Sequence, residues 1–252
     1  PQWLHFKLSQ NEEYRIRFAD RVYRHFFNNR VFNPDSSIQR FLKTADQLTL
    51  AIIAESARWG DQGGWPARTK DDDWIPAVNQ VVYDYMPFRS AIVLKQLQDE
   101  QLYGSLQPPV FKNNGYDIEQ YQLTIAGEYP LRLENPNQTG SILYTLDGKD
   151  PRAVGGAESS SSLNAGTSKE LVVRPGQKVK ARVKYGTLWS ALHEIYFQDE
   201  SLFTRLKITE LHYHPQDQGG IPDTDLEFIE LKNTGTTPLD LSGVAFTEGI
   251  MY

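Results

Sequence analysis

The chain has 252 residues, a net charge of −6 and no cysteine. This length suggests two domains, or two domains and a fragment, and 39% hydrophobic residues exclude a disordered chain. The missing cysteines exclude disulfides and thiolate metal sites, the acidic balance argues against nucleic acid as a partner, and no apolar run is long enough to span a membrane.

The first third of the sequence has helical periodicity. Asn11 is a predicted N-cap, and Glu12 and Glu13 follow in the first turn, where the helix dipole favours acidic residues. Apolar residues then repeat every four positions from Tyr14 to Phe26. Further helices are predicted after residues 34–36, from near Asp73, and from Phe88 to Gly104, with Pro87 breaking the chain between the last two.

The pattern changes to period two after Pro108 and Pro109, which mark a boundary. Strands are predicted near 121–125, 131–133, 142–146, 171–173, 179–183 and 195–197, with a hairpin-type turn at Asp147-Gly148 and an exposed loop at 159–162. This spacing favours an immunoglobulin-type β-sandwich. The chain has no cysteine pair, so we expect a fibronectin-like relative.

A third segment begins near Leu206, with strands predicted at 208–211 and 227–232. It is too short for an independent sandwich, which needs about 100 residues. The predicted fold is therefore a multidomain α + β chain. It comprises a helical segment (1–107), an immunoglobulin- or fibronectin-like β-sandwich (108–200) and a partial immunoglobulin-like β segment (201–252). Pro1 is not a natural start, so we expect sequence before it.

Three stretches resemble known families. Residues 14–21, 25–28, 54–61 and 73–74 resemble the C-terminal helical part of CotH-type proteins, which are atypical, often exported protein kinases or their relatives. Residues 144–151 with Trp189-Ser190 resemble the accessory β-sandwich at the C-terminus of chitobiase and β-hexosaminidase enzymes. Residues 208–211, 227–233 and 239–243 resemble the first half of a lamin-tail domain, an immunoglobulin-like fold.

Together these resemblances imply a non-catalytic structural or adhesive fragment of an exported bacterial multidomain protein. They place it outside the cell or at its surface, without a cofactor. The partners they imply are other domains of the parent chain and a glycan or cell-surface protein. Two alternatives stay open. The helices would complete the C-terminal lobe of a CotH-type kinase whose nucleotide-binding residues lie upstream, or the chain is a carbohydrate-binding module.

Two groups of candidate site residues lie in the helical segment. Glu55, Arg58, Trp59 and Asp61 either border the kinase cleft or form a structural clasp in which Glu55 pairs with Arg58 across one helical turn. The aspartates at 71–73 are a weak cation site, because hard cations need six or more oxygen ligands, and Asp73 is more simply an N-cap.

The remaining candidates lie in the β segments. Tyr185 and Trp189, with Tyr144, would form a sugar-stacking platform or belong to the core. Glu210, His212 and His214 alternate along a strand, a spacing that can hold zinc or can simply belong to surface residues. Carboxylates at 217, 223, 225 and 227 would bind calcium or form a solvated acidic loop.

Overall fold

The computed structural model describes residues 3–28, 30–239, 241, 244 and 246. It has a helical N-terminal part followed by mixed and antiparallel β-sheets, which confirms the α + β organisation. The helices of the first part are α1 (Trp3–Leu8), α2 (Glu12–Phe26), α3 (Pro34–Trp59), α4 (Ile75–Gln80) and α5 (Met86–Asp99). Short 3-10 and π-helical segments at Gly60–Gly63, Lys70–Trp74 and Val81–Tyr85 connect the last three. No helix in the described residues is long and apolar enough to cross a membrane.

Helix α2 begins as the sequence predicts. The Asn11 side chain accepts hydrogen bonds from the backbone N–H groups of Glu13 (2.8 Å) and Tyr14 (3.3 Å). The acidic first turn and the basic last turn both match the helix dipole. Ala19 and Val22 are buried and pack with Ala191 of the β part, so the two parts share a small apolar core.

Asp73 is not an N-cap, contrary to the prediction. Helical turns already begin at Lys70, and Thr69 is the capping residue. The Thr69 hydroxyl accepts from the Asp72 N–H (3.0 Å), while Asp73 accepts from the Thr69 N–H (2.8 Å). This reciprocal arrangement satisfies two backbone donors, which explains why the helix starts at Lys70, three residues before Asp73.

The last helix also ends before the predicted Gly104. Gln101 adopts a left-handed conformation (φ 57°), and the Leu102 N–H donates to the Leu97 carbonyl at 2.8 Å. This is a Schellman-type ending, which usually uses glycine. The buried Leu102 stabilises the turn, because it packs where the helix stops.

The β part contains ten strands in the described residues 108–200. They are β1 (Val110–Asn113), β2 (Tyr116–Asp117), β3 (Gln122–Ile125), β4 (Tyr129–Glu134), β5 (Ser141–Thr145), β6 (Leu163–Gly166), β7 (Ser168–Val173), β8 (Lys178–Tyr185), β9 (Leu188–Trp189) and β10 (His193–Asp199). One sheet has the order β2-β1-β4-β7, and the other has the order β3-β10-β8-β5-β6 with β9 paired to β8. The pairing of β3 with β10 is parallel, and the other pairs are antiparallel.

The two sheets share one apolar core. Leu131 and Leu133 of the first sheet and Val179, Val183 and Phe197 of the second are at most 1% exposed and belong to a single cluster. Their alternation along each strand matches the period-two pattern of the sequence. All six predicted strands of this part are therefore confirmed.

The predicted hairpin at Asp147-Gly148 is wrong. Strand β5 pairs with β6 and β8, and a long connection separates it from Leu163, where β6 begins. Gly148 (φ 76°) donates its N–H to the Lys178 carbonyl at 3.1 Å, and Asp147 accepts from the Lys149 N–H at 3.0 Å. The two residues therefore turn the chain out of the sheet into a loop.

The third segment has a short helix, α6 (Ser201–Arg205), and two antiparallel strands, β11 (Leu206–His212) and β12 (Phe228–Asn233). These strands confirm the two predicted ones. In the predicted 239–243 pattern, Asp240, Ser242 and Gly243 lie outside the described residues.

Candidate functional site

The junction between helix α2 and the second sheet is organised around one arginine. Arg182 of β8 lies on the face opposite to the core residues Ala181 and Val183, and it is 1% exposed. It bridges Asp20 of α2 and Asp150 of the β5–β6 connection.

All five N–H donors of Arg182 are satisfied. Its Nη1 and Nη2 atoms lie 2.7 Å from the two Asp20 oxygens, while its Nε and Nη2 atoms lie 2.8 and 2.6 Å from the Asp150 oxygens. The second Nη1 hydrogen is donated to the Ser190 carbonyl at 2.9 Å. A guanidinium group has five donors in a fixed planar fork, so this geometry permits only one orientation of α2 on the sheet.

The charges of this cluster stabilise one another. Burial opposes the charge on Arg182, but the hydrogen bonds that it donates to Asp150 and Asp20 outweigh this effect and raise the pKa of Arg182. Burial would likewise raise the pKa of Asp150, yet the hydrogen bond and charge of Arg182 hold that pKa below its usual value. Arg182 and Asp150 therefore stay ionised at neutral pH.

A second arginine attaches the start of α2 to the same connection. Arg152 has a side chain only 3% exposed, and its Nη1 atom lies 2.9 Å from each Glu13 oxygen. Glu13 also accepts from the Gly155 N–H at 2.8 Å. That backbone hydrogen bond, followed by the contact with Arg152, lowers the pKa of Glu13. The acidic first turn of α2 therefore contacts the β part and also interacts favourably with the dipole of its own helix.

His193 occupies the apolar side of the junction. Its ring stacks on Phe111 with 4.0 Å between centroids, and its Nδ1 atom lies 2.7 Å from the Pro109 carbonyl and 3.3 Å from the Tyr23 hydroxyl. A carbonyl only accepts, so the neutral ring carries its proton on Nδ1. Burial lowers the pKa of His193 to about 4 and raises the pKa of Tyr23 to about 12.

A cleft of about 520 Å³ opens beside this junction, between α2 and strands β8 and β10. Basic and aromatic side chains dominate its walls, and they include Arg17, Phe18, Arg21, Arg24, Tyr121 and Lys180. Arg17, Arg21 and Arg24 are spaced i, i+4, i+7, which places them on one face of α2. That spacing was visible in the sequence. Nothing in the sequence indicated that a sheet whose strand β8 lies about 160 positions further along the chain would form the opposite wall of the cleft.

The candidate cluster at the end of α3 does not form the predicted clasp. Glu55, Arg58, Trp59 and Asp61 are all exposed, and the described residues contain no ion pair between Glu55 and Arg58. Instead, the Arg58 guanidinium lies over the Trp59 ring at 4.8 Å. Whether these residues border a larger cleft stays a prediction.

The two aromatic candidates of the β part have different surroundings. Trp189 is 8% exposed and donates from Nε1 to the Gly156 carbonyl at 2.9 Å, whereas Tyr185 is 54% exposed. Tyr144, the third ring of the predicted platform, lies in the core. A three-ring platform is therefore wrong, and of the three rings only Tyr185 is exposed.

The candidate metal ligands of the third segment have other partners. His212 Nδ1 lies 3.0 Å from the Leu226 carbonyl, and His214 Nδ1 lies 2.6 Å from an Asp223 oxygen. Glu227 accepts from the His214 N–H at 3.0 Å. In the part of the chain that the structure describes, no three His, Asp or Glu side chains, including Glu210 and the aspartates at 71–73, converge as metal ligands do.

No protein family model, no curated protein and no solved structure matches this chain.

Proposed function

We propose that this chain is a structural or adhesive part of an exported bacterial multidomain protein, in which the helical and β parts act as one rigid connector. The observation that supports this proposal best is the buried Arg182 bridge, which joins Asp20 of α2 to Asp150 of the β part. We assign residues 108–200 to a fibronectin-like sandwich and residues 201–252 to the first half of a lamin-tail domain. Two sheets around one core support the first assignment.

The physical argument rests on burial. Exposed ion pairs contribute little and weaken as salt rises, because water and counterions screen them. A buried pair contributes orientation: any rotation of α2 that separates Asp20 from Arg182 removes one of the two carboxylates that neutralise the buried guanidinium group and leaves it with Asp150 alone. A connector built this way keeps its neighbours at a fixed distance and angle.

Scanning calorimetry tests the connector. We expect the helical and β parts to unfold in one transition, and we expect Arg182→Met to separate that transition into two. Two independent transitions in the unaltered chain would contradict the proposal. Labelling intact cells of the source bacterium with an antibody to the chain tests the exported location.

A second candidate function is the C-terminal lobe of an atypical CotH-type kinase. A separate observation favours it: helices α3 and α5 expose large apolar side chains, including Leu48, Leu50, Ile53, Phe88 and Ile92. Faces of this kind fit against further protein. Sequencing the parent gene upstream of Pro1 separates the two candidates, because a nucleotide-binding lobe with paired metal-binding carboxylates there would support the kinase. Saturable binding of Mg²⁺-ATP by this chain alone, measured by calorimetric titration, would overturn the non-catalytic proposal.

A further inference from the structure

The cleft beside helix α2 has more positive charge than its own carboxylates neutralise. Two of its acidic lining residues, Asp20 and Asp150, already bind Arg182. A third, Glu194, lies within 3.5 Å of nitrogen atoms of Arg24, Lys178 and Lys180. This carboxylate therefore faces three cations.

Arg17 and Arg21 add two further positive charges to the cleft. Both side chains line the cleft and are exposed, and neither forms a salt bridge with any described residue. Field lines concentrate in a cleft with low-dielectric walls, so guanidinium groups without a salt bridge attract anions there more strongly than the same groups on a flat surface.

The inner arginines are held in place before any ligand arrives. The guanidinium carbons of Arg24 and Arg30 lie 4.5 and 3.5 Å from the centroid of the same Tyr121 ring. Arg24 donates from Nε to the Tyr121 hydroxyl at 3.1 Å, and Arg30 donates to the Glu119 carbonyl at 2.5 Å. The Arg30 Nε atom is buried without a hydrogen-bond partner among the described residues. Because these contacts already fix the two side chains, their ordering costs less conformational entropy when a ligand binds.

Aromatic rings supply the rest of the lining. Tyr14 and Phe18 are half-buried on the same helical face as the arginines, and Tyr14 accepts or donates a hydrogen bond with His5 at 2.9 Å. Their rings give an apolar surface beside the guanidinium groups. The lining therefore combines donors for an oxyanion with a surface for the apolar face of a ring.

We propose that this cleft binds a small ring compound that carries an oxyanion, the chemistry of an acidic or phosphorylated sugar. Guanidinium groups bind carboxylate and phosphate oxygens in pairs, which accounts for the charge. The volume of about 520 Å³ lies in the range of small-molecule sites. This inference goes beyond the connector function and stands whether or not that function holds.

Titration of the full ¹⁵N-labelled chain followed by NMR tests the proposal with four probes: glucuronate, glucose 6-phosphate, glucose and inorganic phosphate. We expect at least one charged sugar to cause saturable shifts in amides of α2 and β8, and the tighter of the two identifies the oxyanion. Glucose should cause none. Inorganic phosphate should bind at least about tenfold more weakly than the better charged sugar, because it lacks the ring.

Three results would overturn the proposal: no saturable binding of either charged sugar, equal binding of glucose, or binding of inorganic phosphate as tight as that of the sugars. The last result would mean that the site recognises the anion and not the ring.

Variant R17Q/R21Q removes the two cleft charges that form no salt bridge and should weaken binding about tenfold or more. Variant K43Q/R89Q is the matched control, since it removes the same charge from exposed helical positions outside the cleft lining. Equal loss in both variants would contradict a local site. If R17Q/R21Q does not fold, R17K/R21K keeps the charge but loses the paired donors. It should still weaken binding, and unchanged affinity in it would contradict recognition by guanidinium groups.

Discussion

Arg182 and Asp20 are 162 positions apart in the sequence, yet their side chains form two parallel hydrogen bonds of 2.7 Å. This pair joins β8, the central strand of the larger sheet, to helix α2. Asp150 completes it from the opposite side of the guanidinium group. Four predictions test this junction and the rings beside it.

Replacing Arg182 with methionine should strongly destabilise the protein. The change leaves the partly buried carboxylates of Asp20 and Asp150 without their shared cation, and the loss of one partner of a buried pair costs about 3–5 kcal/mol. Urea denaturation measures this cost. Arg174→Met is the matched control, because Arg174 and Glu128 are both exposed, and its effect should stay within about 0.5 kcal/mol. Similar losses in both variants would show that the bridge contributes no more than a surface pair.

Asp150→Asn should be less stable than the unaltered chain at pH 7, and the difference should shrink in acid. The folded pKa of Asp150 is lowered, so its contribution is complete above the unfolded pKa of about 3.9 and is lost as pH falls through the lower folded value. Denaturation at several pH values between 7 and 3 measures the difference. Asp46→Asn, at an exposed position on α3, provides a control that should show no such change. A difference that is constant with pH would contradict the charge interaction.

His193 should stay neutral well below its ordinary titration range. Burial lowers its pKa to about 4 and outweighs the hydrogen bond to the Pro109 carbonyl, which acts in the opposite direction. The nearby charge of Arg30 also lowers the pKa, against smaller opposing effects of Glu194 and Asp117. An unfolded histidine titrates near pH 6.5, so the unfolded state takes up the proton first. Stability is therefore complete above about pH 6.5 and falls toward pH 4, by about 3 kcal/mol in total. NMR titration of the ring measures the pKa directly, and His193→Gln should remove this part of the pH dependence. A ring that titrates near 6.5 would contradict the burial argument.

Trp189→Ala and Tyr185→Ala should differ in their effects on stability. Trp189 is 8% exposed and Tyr185 is 54% exposed. Truncating the buried ring should cost about 3–5 kcal/mol and lower the melting temperature, whereas truncating the exposed ring should change stability by about 0.5 kcal/mol or less. Thermal unfolding measures both. If Tyr185 contacts a glycan, its variant should lose binding on a glycan array without melting early. Early melting of both variants would mean that both rings support the fold.

Local chemistry made much of this fold predictable. The Asn11 cap, the helical face of α2 and the six alternating strands all depend on near neighbours, and the sequence patterns identified them. The helix end at Gln101 was missed because a non-glycine residue adopts the left-handed conformation there, held by the buried Leu102. The error at Asp147-Gly148 has a different cause: the residue pair specifies a turn but not which strand follows it.

The candidate site was much harder to predict. Glu12 and Glu13 are ordinary first-turn acids by position, and only the folded chain brings Arg152 against them. Arg182 lies in an alternating strand at a position that predicts exposure, so its burial depends on the helix that covers it. The arginine spacing on α2 was visible, but the opposite wall of the cleft comes from residues 121–194. Pairing over such separations leaves no periodic signal in a single sequence.

The Arg182 bridge also sets an order of events during synthesis. The ribosome releases α2 long before β8, so Asp20 remains hydrated and the apolar face of the helix has no covering sheet until most of the chain has emerged. Contacts that close such large loops slow folding, because the loop entropy is lost before the contact forms. During this interval the apolar faces of the early helices are exposed, and chaperones can bind them before the sheet does.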